Sequence, residues 1–175
     1  MKSLPSKVLV VCLGNMCRSP VGEYLLRDFA LKSSSAPVRQ IKFYSAGIWG
    51  SSGGMHELSL TYLSNMGING RDFQSKKLNR TLILTYDLIL VFEKYMISDS
   101  IIPFLKEDRN SEFEELTHKF LLITEVAGES GEIEDPYGYG KREYFRILND
   151  ISRCAEKIVK KWELKAVSLD NYIKK

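Results

Sequence analysis

The stretch Val11-Cys12-Leu13-Gly14-Asn15-Met16-Cys17-Arg18-Ser19-Pro20 constrains the fold of this chain more than any other. Residues 7–11 are mostly apolar and rich in β-branched side chains, the pattern of a short buried strand. Ser19 offers an N-cap, and Pro20 suits a first helical position that needs no N–H. Behind it Val21, Leu25 and Phe29 recur every fourth residue, one face of an amphipathic helix. The intervening loop therefore sits on a helix N-terminus. Free amides and the positive end of the helix dipole attract anions there.

Each loop residue fits an oxyanion site. A helix N-terminus with Arg18 nearby favours thiolate over thiol at Cys12, which would act as a nucleophile without a separate base. The planar fork of Arg18 can hold two oxygens of one phosphoryl group. Gly14 permits positive φ and close approach of backbone to ligand. Asn15 tolerates a left-handed conformation, and its amide can pin the loop from within. Ser19 has a hydroxyl within reach of the Cys12 sulfur and could stabilise it as it leaves. Alone, a cysteine ending a buried strand is a small core hydrophobe, and Cys-x5-Arg occurs by accident. Strand, glycine, arginine and Ser-Pro in this order reverse that reading.

The same ten residues resemble the signature of the low-molecular-weight protein tyrosine phosphatases. The resemblance implies a phosphate-binding loop of Leu13, Gly14, Asn15, Met16, Cys17 and Ser19 around catalytic Cys12 and Arg18. Such an enzyme needs an acid for the leaving oxygen. Pro136 biases Asp135 toward extended backbone, and Gly131, Gly138 and Gly140 mark a surface loop. Asp-Pro by itself only starts a turn. The family carries an Asp-Pro-aromatic loop near its C-terminal end, which implies Asp135 as general acid and Tyr137 as the ring flanking substrate. Gly138 stands where many members place a second aromatic. Tyr44-Ser45-Ala46-Gly47 resembles the family's second strand with its Ser-Ala-Gly, implying that Ser45 orders the phosphate loop. Met66-Gly67-Ile68 and Asp87-Leu88-Ile89-Leu90 fall in the expected order. The family often follows Gly-Ile with a histidine that supports the loop asparagine. Phe73 falls there, so Asn15 needs another partner. Trp49 is expected to wall the substrate cleft, since aromatic faces pack well against a phosphotyrosine ring.

Strand-like runs recur at 7–11, 40–44, 87–92 and 120–124. Helical patterns lie at 55–66, closed by Gly67, at 94–102, ended by Pro103, and at 143–162. The last has Tyr144, Leu148, Ile151, Ala155, Ile158 and Trp162 on one face. The expected fold is α/β in three layers: a four-stranded parallel sheet with helices on both faces and the phosphate-binding loop after the first strand. Ligands of such sheets bind outside the C-terminal strand ends, where Cys12 falls. The chain of 175 residues fits one domain over 1–175, with about 165–175 as an extension. The polar stretch 106–115 reads as an exposed loop or weak helix.

A net charge of +3 is too mild to imply nucleic acid, and no apolar run approaches membrane-spanning length. The N-terminal apolar run ends in the signature and so reads as strand, not signal peptide. Three cysteines form a sparse, odd set that fits a reducing cytoplasm. No cofactor or metal is expected. His56-Glu57 begins a metalloprotease pattern, but Leu60 stands where the second histidine belongs, and His118 is isolated. Gly50-Ser51-Ser52-Gly53-Gly54 satisfies G-x-S-x-G without a strand running into the serine, so it reads as a Gly/Ser loop.

The expected activity is metal-independent hydrolysis of phosphotyrosine on protein substrates through a phosphocysteine. The sequence leaves the oligomeric state open, a monomer included. A protein arginine phosphatase of the same fold is the nearest alternative; those members place a threonine where this chain has the larger, apolar Met16. Thioredoxin-coupled arsenate reductases need two further neighbouring cysteines, and only Cys154 lies downstream. A non-catalytic phosphate-loop binder would need no acid. Cys17 beside Cys12 suggests a reversible disulfide that protects the nucleophile.

Overall fold

The structure is a computed structural model that describes residues 3–101 and 116–173, with side chains described through Ala166. Four strands, β1 (Lys7–Cys12), β2 (Lys42–Gly47), β3 (Leu88–Val91) and β4 (Phe120–Leu122), form one parallel sheet in the order β2-β1-β3-β4. Val8, Leu9, Val10 and Val11 are all fully buried, so both faces of β1 are covered. That two-sided burial is why β1 reads as a continuous apolar run and does not alternate. From β1 the chain crosses to β2 on one side and later to β3 on the other. The ends of β1 and β3 thus flank a topological switch point, and the 13–17 loop opens there.

The helices are α1 (Arg18–Leu31), α2 (Ala36–Arg39), α3 (Glu57–Asn65), α4 (Arg80–Thr85), α5 (Ile123–Ala127) and α6 (Lys141–Ile173), with a π-helical segment at Met96–Ile101. Helix α1 lies close on the sheet because Gly22 has no side chain: a Cβ there would stand 3.1 Å from Val10 Cγ1. On α6, Tyr144, Leu148, Ile151, Ala155 and Ile158 are fully buried, as their spacing predicts. Trp162 stacks on Phe43 of β2, with centroids 6.2 Å apart. Among the described residues no helix is long and apolar enough to cross a membrane.

Element boundaries depart from the sequence reading where side chains are engaged elsewhere. Helix α1 begins at Arg18, one residue before the expected Ser19 cap, and its N-cap Cys17 makes no side-chain cap bond. The Ser19 hydroxyl is bonded to Cys12 and Asn15 instead. Pro20 is still in the first turn, where its missing N–H costs nothing. The expected strand 120–124 stops at Leu122, because Glu125 folds back onto the Leu122 amide and opens α5 at Ile123. The second strand is shifted to Lys42–Gly47, which brings Ser45 and Gly47 into the sheet. Helix α3 is capped by His56 and ends before Gly67, whose φ of +76° suits a glycine stop. Helix α6 runs on to Ile173, so the stretch expected as extension continues the helix. The short helices α2 and α4 carry too little periodicity to be read from sequence. Pro103 and the 106–115 stretch lie outside the described residues.

Candidate active site

The loop after β1 is held by its carbonyls. Cys12 O accepts from Ile48 N, Leu13 O from Trp49 N, and Met16 O from His56 N, at 2.9–3.0 Å. Gly14 O accepts the Ser75 hydroxyl at 3.1 Å and Cys17 O the Ser59 hydroxyl at 3.3 Å. With so many carbonyls turned outward, the peptide planes turn their N–H groups toward the hollow of the loop, an anion-binding nest at the start of α1. Of the two loop residues suited to positive φ, Gly14 and Asn15, it is Asn15 that adopts it, at 57°. Asparagine tolerates that conformation better than most side chains.

Asn15 is fully buried and its side chain is fully engaged. Its Nδ2 donates to Ser19 Oγ at 2.8 Å and to Ser45 Oγ at 2.9 Å, and Oδ1 accepts from Lys76 N at 2.8 Å. These contacts answer the need created by Phe73, which packs edge-on against Tyr24 and leaves Asn15 to other partners. Ser19 Oγ stands 3.0 Å from Cys12 Sγ. Ser45 therefore touches the loop through Asn15.

Arg18 is fully buried, the largest such side chain among the described residues. One nitrogen, Nη1, binds Glu93 at 2.5 Å and the Ile133 carbonyl at 2.9 Å; Nη2 binds Asp135 Oδ2 at 2.6 Å. The Phe92 ring lies 5.5 Å from the guanidinium carbon. Two carboxylates and the neighbouring Cys12 hold the Arg18 charge in place against a large burial cost. Arg18 Nε is buried with no hydrogen-bond partner among the described residues. An oxyanion in the loop would supply the missing acceptor, which a buried donor needs.

The loop that carries Asp135 is tied down at several points. Ile133 N bonds Phe92 O, Thr124 Oγ1 bonds Gly131 O, and Glu134 pairs with Arg146 of α6. Asp135 uses Oδ1 for the Tyr137 amide at 3.1 Å and Oδ2 for Arg18. Asp135, 117 residues beyond Arg18, thus meets the loop of Cys12 and Arg18 at the C-terminal ends of β1 and β3. Trp49 and Tyr137 are exposed, at 67% and 69%. The Trp49 amide braces Leu13, and the Tyr137 ring stands 6.1 Å from His56. His56 also stacks on Tyr144 at 5.1 Å.

Several of these residues give no sequence signal. Glu93 stands beside Lys94 just after β3, with nothing in its neighbours to mark it. His56 looks like a failed metal motif, yet it caps α3 and forms part of the cleft edge. His118 is exposed in a turn, away from these contacts. Cys17 lies against the buried Tyr144 hydroxyl, and burial pushes its thiol up to about 11. Tyr144 in turn bonds Ser59 Oγ at 2.8 Å. Among the described residues no three His, Cys, Asp or Glu side chains converge to hold a metal ion.

The family model of the low molecular weight phosphotyrosine protein phosphatases matches residues 7–168. The chain belongs to that family. A low molecular weight protein-tyrosine-phosphatase of Acinetobacter johnsonii, Ptp, is 40% identical over 88 residues, half of this chain and 56% of that relative. The chain thus spans little more than half the length of that relative. Etp of Escherichia coli K12, named likewise, is 29% identical over 161 residues, which cover 89% of this chain and 94% of the relative. The crystal structure of the tyrosine phosphatase AmsI of Erwinia amylovora superposes with a TM-score of 0.74 at 27% identity, covering 90% of this chain and 93% of that one. The family match runs from β1 into α6, the region that builds the nest and carries Arg18 and Asp135.

Proposed function

We propose that the protein hydrolyses phosphotyrosine on protein substrates through a phosphocysteine intermediate. The observation that carries this reading is Arg18. Its guanidinium joins the Asp135 carboxylate to the loop that holds Cys12, and it keeps one buried donor for an oxyanion.

The phosphoryl group enters the nest, its equatorial oxygens taken by the loop amides and the Arg18 fork. Cys12 sulfur attacks phosphorus in line, forming an S–P bond as the P–O bond to the tyrosyl oxygen breaks. Asp135, once protonated, gives its proton to that oxygen. Ser19 donates to the sulfur. In the second step Asp135 takes a proton from water, whose oxygen attacks phosphorus and releases Cys12 and inorganic phosphate. Trp49, Tyr137 and His56 supply the aromatic edge that a phosphotyrosine ring can pack against, and Met16 gives the loop an apolar surface.

The test is hydrolysis of para-nitrophenyl phosphate without added metal. Turnover that disappears in Cys12→Ser supports the reading, and no turnover in the parent protein refutes it. Competition between phosphotyrosine and phosphoarginine peptides fixes the substrate class. Preference for phosphoarginine would overturn the tyrosine assignment while leaving the phosphocysteine route intact.

A further inference from the structure

Beneath the phosphate loop lies a buried carboxylate that the reaction above does not use. Glu23, in the second turn of α1, is 6% exposed. Its Oε2 accepts the Ser45 hydroxyl at 2.6 Å, and its Oε1 is paired with Arg27 one turn along. Arg27 also donates to Phe43 O at 3.0 Å, which fixes its fork against β2. Tyr24 and Phe73 line the same small cleft behind the loop. A helix-surface ion pair of this spacing has no reason to be buried for stability alone, since burial of a carboxylate costs more than such a pair returns.

We propose that Glu23 is a positioning residue for Cys12, acting through Ser45, Asn15 and Ser19. The proposal rests on Cys12 being the nucleophile of the phosphatase reaction.

The direction of each hydrogen bond follows from the acceptor at the far end. Ser45 has one proton, and the Glu23 carboxylate takes it, so the Ser45 oxygen is left to accept. It accepts from Asn15 Nδ2 at 2.9 Å. The Lys76 amide holds Asn15 Oδ1, so the side-chain amide cannot turn over. Its second N–H goes to Ser19 Oγ at 2.8 Å. Ser19 then has its own proton to give, and Cys12 Sγ at 3.0 Å is nearer than the Ala46 carbonyl at 3.3 Å. A hydrogen bond donated to sulfur favours its charged form, both when it attacks and when it departs. Remove the carboxylate, and Ser45 can donate to nothing that fixes its orientation. The ordering then lapses along the buried chain, whose members polarise one another. Arg27 keeps the carboxylate an acceptor. Burial pushes the Glu23 carboxyl up, and Ser45 and Arg27 pull it back.

The test compares Glu23→Ala and Glu23→Gln in the full chain, with two readouts. One is kcat and KM for para-nitrophenyl phosphate; the other is the rate at which iodoacetate carboxymethylates Cys12 at neutral pH, mapped by peptide mass. Glu23→Ala is expected to lower kcat about tenfold and slow carboxymethylation about fivefold, the weight of one or two buried hydrogen bonds, with KM changed less than about threefold. Glu23→Gln keeps an acceptor for Ser45 and should return both rates to within about threefold of the parent. Parental rates in a folded Glu23→Ala protein would overturn the proposal. So would a Glu23→Gln protein as impaired as Glu23→Ala, because packing or charge would then be the cause. If Glu23→Ala does not fold, Ser45→Ala carries the test: slowed carboxymethylation supports the relay, and a parental rate overturns it. The alkylation readout needs no turnover. An inactive parent would refute the phosphatase reading and still leave the role of Glu23 decided.

Discussion

Asp135 Oδ2 lies 2.6 Å from Arg18 Nη2, so the acid and the phosphate fork of the proposed reaction hold one another in the free protein. A phosphoryl group entering the nest competes for that same nitrogen. Asp135 then loses its cationic partner and faces a new anion. In the proposed reaction, oxyanion binding and the placement of Asp135 are coupled through one ion pair.

Replacing the acid separates the two roles. Asp135→Ala should slow turnover of para-nitrophenyl phosphate by about 10²–10⁴-fold, the usual range for general acid catalysis. Affinity for vanadate or phosphate should hold or tighten, because Nη2 is released. Parental kcat would remove Asp135 from the reaction, and a large loss of oxyanion affinity would contradict its competition for Arg18.

Arg18→Lys keeps the charge and loses the fork. A single ammonium cannot serve Glu93, the Ile133 carbonyl, Asp135 and a phosphoryl group together. Activity should fall by roughly 10²–10³, as when one oxyanion donor is removed. Steady-state kinetics with phosphate inhibition measures both parts, and near-parental values would refute bidentate binding.

Gly47 is fixed by proximity. A Cβ there would stand 2.7 Å from Asn15 N and 2.8 Å from Gly14 C and Leu13 O, all backbone atoms of the phosphate loop. Gly47→Ala should therefore destabilise the protein by about 1–3 kcal/mol and abolish oxyanion binding, since the loop must move. Denaturant melts and phosphate titration test this; a parental midpoint with normal binding would show that the loop tolerates the shift.

Acid sensitivity has a local source on α6. Arg153 and Lys157 hold the Glu129 carboxyl down to about 2, against an ordinary 4.5. Because the folded value is the lower one, the stabilisation is complete above pH 4.5 and drains away as pH falls toward 2. The cationic partners are half exposed, so its size stays below about 1 kcal/mol. The Tm difference between the parent and Glu129→Gln should be visible at neutral pH and close on acidification. A gap that widens with acid would contradict the sign.

The loop after β1 is legible because its parts are contiguous. A strand, a thiol, a glycine, an arginine and a helix start lie within one short stretch, and each has a local preference. Asp135 was not legible in the same way. It reaches Arg18 across 117 residues, and only the family resemblance pointed to it. Glu93 and Glu23 escaped because a single carboxylate carries no local pattern; only the fold brings Glu93 to Arg18 and covers Glu23 beside Ser45. Ser19 misled for the converse reason: it has the chemistry of a cap, but a buried thiol and amide claimed its hydroxyl. The apolar face of α6 is legible in its spacing, whereas its length is not, since the periodic signal ends at Trp162.

The most direct measurement is mass spectrometry of protein quenched in acid during turnover of para-nitrophenyl phosphate. The account predicts a single phosphate on the peptide carrying Cys12, accumulating further when Asp135 is replaced and absent in Cys12→Ser. Phosphate on any other side chain, or turnover with no covalent phosphate in any variant, would contradict it.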